Sequence, residues 1–321
     1  MIKTSFLNPQ QLPLIIEPED NLQSNANFRL LKDTLLRRRE FLREKLLIHG
    51  AVLLRGYDVS SIEDFESLVC CFSERELFNY AGGASPRKSL SGGVYNSTEY
   101  PPHLGLRLHN ELSYSENFPY HLYFCCLTAP KEGGETTLGD SRRILRKINP
   151  KIVELFKRKK IRYDRCLSAE KGSGYSWQEA FETDDPASAE NCCRKIGADF
   201  QWKENRKLRL SQIRPATIAH HETGEEVWFN QAESFHPSNL DEENYKALIA
   251  EMPEEDFRLN AYFGDGSPLC LQMLGHIRDV LQKETILLRW QIGDVLIVDN
   301  LLAAHGRMPF SGARKIALAM T

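Results

Sequence analysis

Apolar positions along the chain fall into two rhythms. From about Asn27 to His49, Phe28, Leu31, Leu35, Phe41, Leu42, Leu46 and Leu47 recur at roughly helical spacing with charges between them. That pattern predicts one amphipathic helix, with Gly50 where a helix C-terminal glycine belongs. The run AVLLRGY then reads as a buried strand. Ser60 or Ser61 caps a further helix through Ile62, Phe65 and Leu68 toward Phe72, with Glu63 and Asp64 in its first turn. Residues 1–20 are Pro-rich and extended, an edge strand or arm. Tyr120 to Ala129 reads as a strand dense in aromatic residues. Ser141 is placed to cap SRRILRKINPKIVELFKRKK, which should break at Pro150. PASAENCCRKIGA is helical, and ATIAHHETGEEVWFNQ is a hairpin turning at Thr223-Gly224. Helices are expected over 241–251 and 267–284, the latter starting near Ser267-Pro268. The last third closes on three strand-like runs, TILLRWQ, DVLIVDN and ARKIALAM.

Many short strands with helices outside them and late antiparallel hairpins predict a mainly β fold with flanking helices, on a double-stranded β-helix (jelly-roll) core. No internal repeat or low-complexity tract divides the chain. It is expected to form a single domain over 1–321, with a helical N-terminal part and an insertion around 141–210. Residues 79–107 are rich in Gly, Ser, Pro and Tyr without regular periodicity. A stretch that long is expected to be a wall or lid of a pocket.

Composition narrows the function class. The 321 residues carry 41 basic and 44 acidic side chains, a net charge of −3, so no basic excess argues for nucleic acid or an anionic membrane. Three of the cysteine pairs are adjacent (Cys70-Cys71, Cys125-Cys126, Cys192-Cys193). Neighbours point in different directions, so they read as buried apolar side chains rather than bridges. No CxxC pairs suggest zinc. The N-terminus has no signal-like apolar stretch, and no run reaches membrane-spanning length. A cytoplasmic protein is the default expectation.

The chemistry concentrates at His109-Asn110-Glu111. On extended backbone, a histidine and a carboxylate two residues apart share a face. One more histidine would complete a two-His, one-carboxylate set that leaves coordination positions open, as suits non-haem Fe(II) oxygenases. His305, in DVLIVDNLLAAHGRMPFSGARKIALAM, is the candidate. A jelly roll would bring these distant segments together at its mouth. His220-His221 face opposite ways on a strand, which favours one packed and one exposed residue over a metal pair. There is no G-x-S-x-G elbow and no phosphate-cradling glycine loop.

Four passages, RGY at 55–57, LHNELSYS, APKEGGETTLGD and GDVLIVDNLLAAHGRMPFSGARKIALAM, together resemble the TauD/TfdA-type, clavaminate-synthase-like Fe(II)/2-oxoglutarate-dependent oxygenases. STEYPP and HNELSYS are similar to the SyrP-like subgroup, hydroxylases of amino acids or carrier-held aminoacyl groups. The resemblance implies that His109, Glu111 and His305 hold Fe(II), and that Arg314, aided by Thr136, grips the far carboxylate of 2-oxoglutarate. If Arg314 points inward on ARKIALAM, so do Ile316, Leu318 and Met320, while Lys315 points out. Family halogenases lack the carboxylate ligand, so Glu111 argues against halogenation. The more frequent family residue there is Asp.

By the same resemblance Asn96, Ser97, Glu99, Asn230 and Phe235 lie where relatives approach substrate. The expected partners are dioxygen and a small amino-acid-like molecule, free or tethered to a peptidyl carrier protein. Desaturation and epoxidation use the same ligands as hydroxylation. The rival from another class is a non-catalytic jelly roll that binds a metal or small ligand.

Overall fold

A computed structural model describes residues 2–19, 24–80, 82–85, 87–97, 100–169 and 175–321. Two sheets face each other across the core. The larger has eight strands in the order Ile2–Phe6, Leu14–Pro18, Ala51–Leu54, Val295–Asp299, His121–Thr128, Lys315–Met320, Val94–Asn96 and Ser89–Ser91. The smaller runs Ile286–Leu288, Thr136–Asp140, Ala303–Arg307, Leu106–His109. This is the expected jelly roll. Late strands pair between early ones, so residues far apart in sequence become neighbours.

The side-chain period of two divides the central strands between two apolar layers. Phe124, Cys126, Leu296, Val298, Ile316, Leu318 and Met320 face the inner layer, with Leu108 and Leu138 from the opposite sheet. Tyr123, Cys125, Val295, Ile297, Ala317 and Ala319 face the other way, against Leu31, Leu35, Leu42, Leu46, Phe65 and Leu68 of the N-terminal helices. Cys125 and Cys126 therefore sit in different layers, and all eight cysteines are free. The C-terminal strand alternates as expected, except that its outer face is covered by helices rather than water, which is why Ala317 and Ala319 are also buried.

Several local expectations hold. Gly50 has φ 75° and donates its N–H to Leu46 O at 2.7 Å. The Ser61 hydroxyl accepts from Asp64 N. The break at Pro150 separates Ser141–Lys147 from Pro150–Lys159, and the hairpin turns at Gly224. Three expectations need correction. The single N-terminal helix is two, Ser24–Arg37 and Arg39–His49, because Arg38 (φ −120°, ψ 23°) leaves helical geometry while its neighbours keep their i→i−4 bonds. Asp140, not Ser141, caps the next helix. A carboxylate can accept from both Arg142 N and Arg143 N, and Ser141 is buried one residue further in. The 267–284 helix begins at Leu271.

Two strands of the region expected as an insertion (141–210), Ile161–Leu167 and Asp199–Trp202, join Leu208–Arg214 and Leu259–Phe263 in a separate four-stranded sheet ordered Asp199–Trp202, Leu208–Arg214, Ile161–Leu167, Leu259–Phe263. Its last strand, with Arg258 just before it, reaches the cavity wall through Leu259. Two motifs pin the core strands. Arg55 of RGY grips Asp294 of the Gly293-Asp294 turn through Nη2 (2.6 Å) and Nε (3.0 Å), a fork-type pair held almost out of water.

Candidate active site

His305 and His109 are directly opposed across the strands Ala303–Arg307 and Leu106–His109. Opposed residues project to one face, and the two imidazole centroids are 4.4 Å apart. The strand ends at His109, so Glu111 does not reach that face by strand alternation, as the sequence suggested. It opens a turn in which the next residue, Leu112, adopts φ 54°. What places it is Asn300, fully buried, whose side-chain oxygen accepts from Glu111 N (2.7 Å). The Asn300 amide also donates to Glu111 O (3.0 Å) and Pro119 O (2.7 Å). Asn110 completes the clamp by donating to Asn300 O. The late segment carrying His305 thus holds the early one carrying Glu111.

One carboxylate oxygen of Glu111 lies 3.6 Å from His305 Nε2 and 3.9 Å from His109 Nε2. The three donor atoms lie within 4.8 Å of one another, the one such group among the described residues. His109 Nδ1 is 2.8 Å from Arg107 O, so Nδ1 carries the proton and Nε2 offers a lone pair. Burial, with His305 alongside, pushes His109 down to about 4, which keeps that lone pair free at neutral pH. Burial works to raise Glu111, but Arg87 and His305 overcome it, and the group stays well below the usual carboxylate range. Two imidazole Nε2 atoms and one ionised carboxylate on one face fit a divalent cation.

Nothing in the sequence singles out Arg87. Its Nη2 donates to the Glu111 oxygen that faces both imidazoles (2.7 Å), Nη1 donates to Ser97 O, and the guanidinium lies 4.5 Å over the Tyr80 ring. Both charges are nearly excluded from water.

Gly306 follows His305 at an irregularity in the strand pairing. A Cβ there would come within 2.4 Å of Leu106 O and 2.8 Å of Arg107 O, both main-chain atoms of the His109 strand. Gly306→Ala is expected to force the two strands apart and abolish metal binding, with thermal unfolding lowered by several degrees. Unchanged melting and unchanged Co(II) uptake would show that the strands can yield.

These groups open into a cavity of about 650 Å³. Arg314 and Thr136 line it, as expected, together with Ser97 and Phe235. Arg314 donates to Gly134 O (3.2 Å) and weakly to the Ser97 hydroxyl (3.4 Å), and among the described residues no carboxylate pairs with it. Burial, with Arg307 nearby, lowers it to about 10, so it remains a cation at neutral pH. Thr136 Oγ accepts from the Trp290 N–H at 3.0 Å. Its own proton is left to donate into the cavity. Arg307 donates to three carbonyls, of Tyr100, Pro101 and Leu104, and so holds the outer wall.

The remaining sequence candidates separate. Phe235 packs between Tyr114 and Tyr163 at the cavity wall. Asn230 is not brought to it; its amide is spent on Ala216 O and Ala232 N, a backbone role. Asn96 sits in the strand Val94–Asn96, paired with Ala317, and does not line the cavity. Glu99 lies outside the described residues. His220 is fully buried, its Nδ1 accepting from two backbone N–H groups and its Nε2 bonded to Asp299, while His221 is more exposed.

The family described as "Taurine catabolism dioxygenase TauD, TfdA family" matches residues 10–321. The dapdiamide synthesis protein DdaC of Enterobacter agglomerans is 37% identical over 281 residues, covering 88% of this chain and 83% of the relative. The clavaminate synthase-like protein At3g21360 of Arabidopsis thaliana is 31% identical over 300 residues, 91% and 87% of the two chains. Among solved structures, PvcB of Pseudomonas aeruginosa superposes with a TM-score of 0.55 at 16% identity, over 99% of this chain and 90% of that one. Another structure describes PvcB as an Fe, alpha-ketoglutarate dependent oxygenase from an isonitrile synthetic pathway.

Proposed function

This chain belongs to the TauD/TfdA dioxygenase family and uses Fe(II) and 2-oxoglutarate; from that premise we propose that it hydroxylates an unactivated C–H bond of an amino acid, or of an aminoacyl or peptidyl group on a carrier protein, in natural-product biosynthesis. In this reading the whole chain is one oxygenase domain with the 141–210 region inserted. Its nearest functional type is the SyrP-like hydroxylases. His109, Glu111 and His305 hold the metal, and Arg314 with Thr136 holds the far end of the keto acid.

The observation that carries the proposal is the pairing, in one cavity, of three metal donors with an arginine that no carboxylate among the described residues pairs with. When bound, the iron and its co-substrate supply activated dioxygen, with the keto acid leaving as succinate and carbon dioxide. The chain's own residues do the rest. Arg314 presents a planar fork that a carboxylate fills with two parallel bonds, and Thr136 adds a hydroxyl donor. Phe124, 5.4 Å from the His305 ring, and Phe235 with Tyr114 give the cavity an apolar face against which the reacting carbon can pack. DdaC, whose name places it in dapdiamide synthesis, supports a natural-product setting.

Arg314→Met is expected to weaken 2-oxoglutarate binding roughly ten- to a hundredfold, the loss of about 1.5–3 kcal/mol of charged hydrogen bonding, with metal affinity unchanged. An anaerobic titration of the Fe(II) protein with the keto acid, followed by its visible absorption, measures this. The substrate assignment is tested by incubating the loaded enzyme with free and carrier-loaded amino acids and looking for a mass gain of one oxygen. Gain of oxygen on none of them, or loss of two hydrogens instead, would overturn the hydroxylase reading.

A further inference from the structure

Within the 79–107 stretch read from sequence as a wall or lid, the described residues between 82 and 97 make a strap fixed at two points. At one end four side chains hold its backbone. Arg165, only 1% exposed, donates to Gly82 O (2.8 Å) and Gly83 O (3.2 Å). Arg258 donates to Ala84 O, the Tyr175 hydroxyl to Ser85 O, and Ala84 N donates to the Tyr114 hydroxyl (2.6 Å). Arg165, Tyr175 and Arg258 come from the insertion sheet or its flanks. At the other point Arg87 reaches the iron-site carboxylate and, with its second amino group, the carbonyl of Ser97. The Ser97 hydroxyl in turn accepts from Arg314. One hydrogen-bonded path therefore runs from Glu111 through the strap to the arginine assigned to the keto acid.

We propose that Arg87 is a positioning residue that fixes the Glu111 carboxylate for the metal and thereby makes metal affinity depend on the seating of the 82–97 strap. The inference rests on the reading of Glu111 as a metal ligand. A carboxylate on a short side chain has freedom about three torsions, and only one setting turns an oxygen toward both imidazoles. Arg87 selects that setting by accepting no alternative: its fork is already committed on the other side to a main-chain carbonyl, and its plane is stacked on Tyr80. A cation so close to a divalent metal also repels it. The geometry says orientation wins, because the guanidinium charge is already matched by the carboxylate it holds. Outer-shell partners of ligating carboxylates typically account for ten- to hundredfold in metal affinity. A lysine could supply the charge but cannot reach both the carboxylate and the Ser97 carbonyl.

Co(II) titration, read by its visible ligand-field absorption, tests this without turnover. Arg87→Met should bind Co(II) about 10- to 100-fold more weakly than the parent, and Arg87→Lys, which keeps the buried charge matched and so protects folding, should fall between the two. Amide exchange gives a second reading. Co(II) should slow exchange across 87–97 in the parent and leave it unchanged in Arg87→Met. Parent-like affinity in either variant, or tighter binding, would overturn the proposal. A parent that takes up no Co(II) would instead sink the assignment of the three ligands themselves.

Discussion

His305→Ala is expected to eliminate metal binding and turnover together while leaving the protein folded. His305 supplies one of three protein donors among the described residues, and Ala303–Arg307 is the strand through which the late segment meets His109. With one imidazole gone, the remaining pair offers two donors on a face built for three, and a cation with ordinary hydration has little reason to stay. Folding should survive for an electrostatic reason. Removing one partner of a buried ion pair is costly because a charge is left alone, but here Glu111 keeps Arg87 at 2.7 Å. Anaerobic addition of Fe(II) and 2-oxoglutarate should give a visible charge-transfer absorption with the parent and none with His305→Ala, and circular dichroism should match between them. Persistence of the band would mean that the iron sits elsewhere.

Asn300→Ala should cost the most stability of any single polar change near the site. The side chain is fully buried and makes three hydrogen bonds, to Glu111 N, Glu111 O and Pro119 O. Truncation leaves an N–H and two carbonyls without water or partner. Each orphaned buried group costs about 1–3 kcal/mol, so a total of roughly 3–5 kcal/mol is expected with partial relaxation. In a chain of this size that corresponds to a fall in melting temperature on the order of 10 °C. Asn300→Asp should not rescue it, because a carboxylate accepts but cannot donate to the two carbonyls and would bury a charge. The same clamp sets where Glu111 stands, so Co(II) affinity should fall as well. Differential scanning calorimetry and Co(II) titration on one preparation separate the two effects. A destabilised variant that still binds Co(II) like the parent would show that Asn300 serves the fold alone.

How much was legible follows the range of each interaction. Short-range rules worked where one side chain or one turn decided the outcome: Gly50 ending a helix, Ser61 capping one, Pro150 breaking one, Gly224 turning a hairpin. They missed where two residues compete locally, as when Asp140 outdoes Ser141 for the same N–H groups. They also missed the kink at Arg38, where the apolar stripe continues on both sides and carries no mark of it. Within the site, donor types could be read because HNE and a late histidine are distinctive chemistry. Asn230 sits in WFNQ, close in sequence to Phe235, yet only Phe235 reaches the cavity. Proximity along an irregular loop does not set direction.

The sequence by itself determined which side chains could bind a cation and a dicarboxylate, since His109, Glu111, His305 and Arg314 have those affinities wherever they stand. It also determined the alternation that turns Ile316, Leu318 and Met320 to one side, because that period belongs to any extended chain; Arg314 stands just before that strand. Only the tertiary structure decided that His109 opposes His305 across a strand pair, that Asn300 holds Glu111 in place, and that Arg87 fixes its carboxylate. Those are matters of register between segments far apart in the chain, and register comes from packing two sheets against one shared core, a condition no local stretch contains.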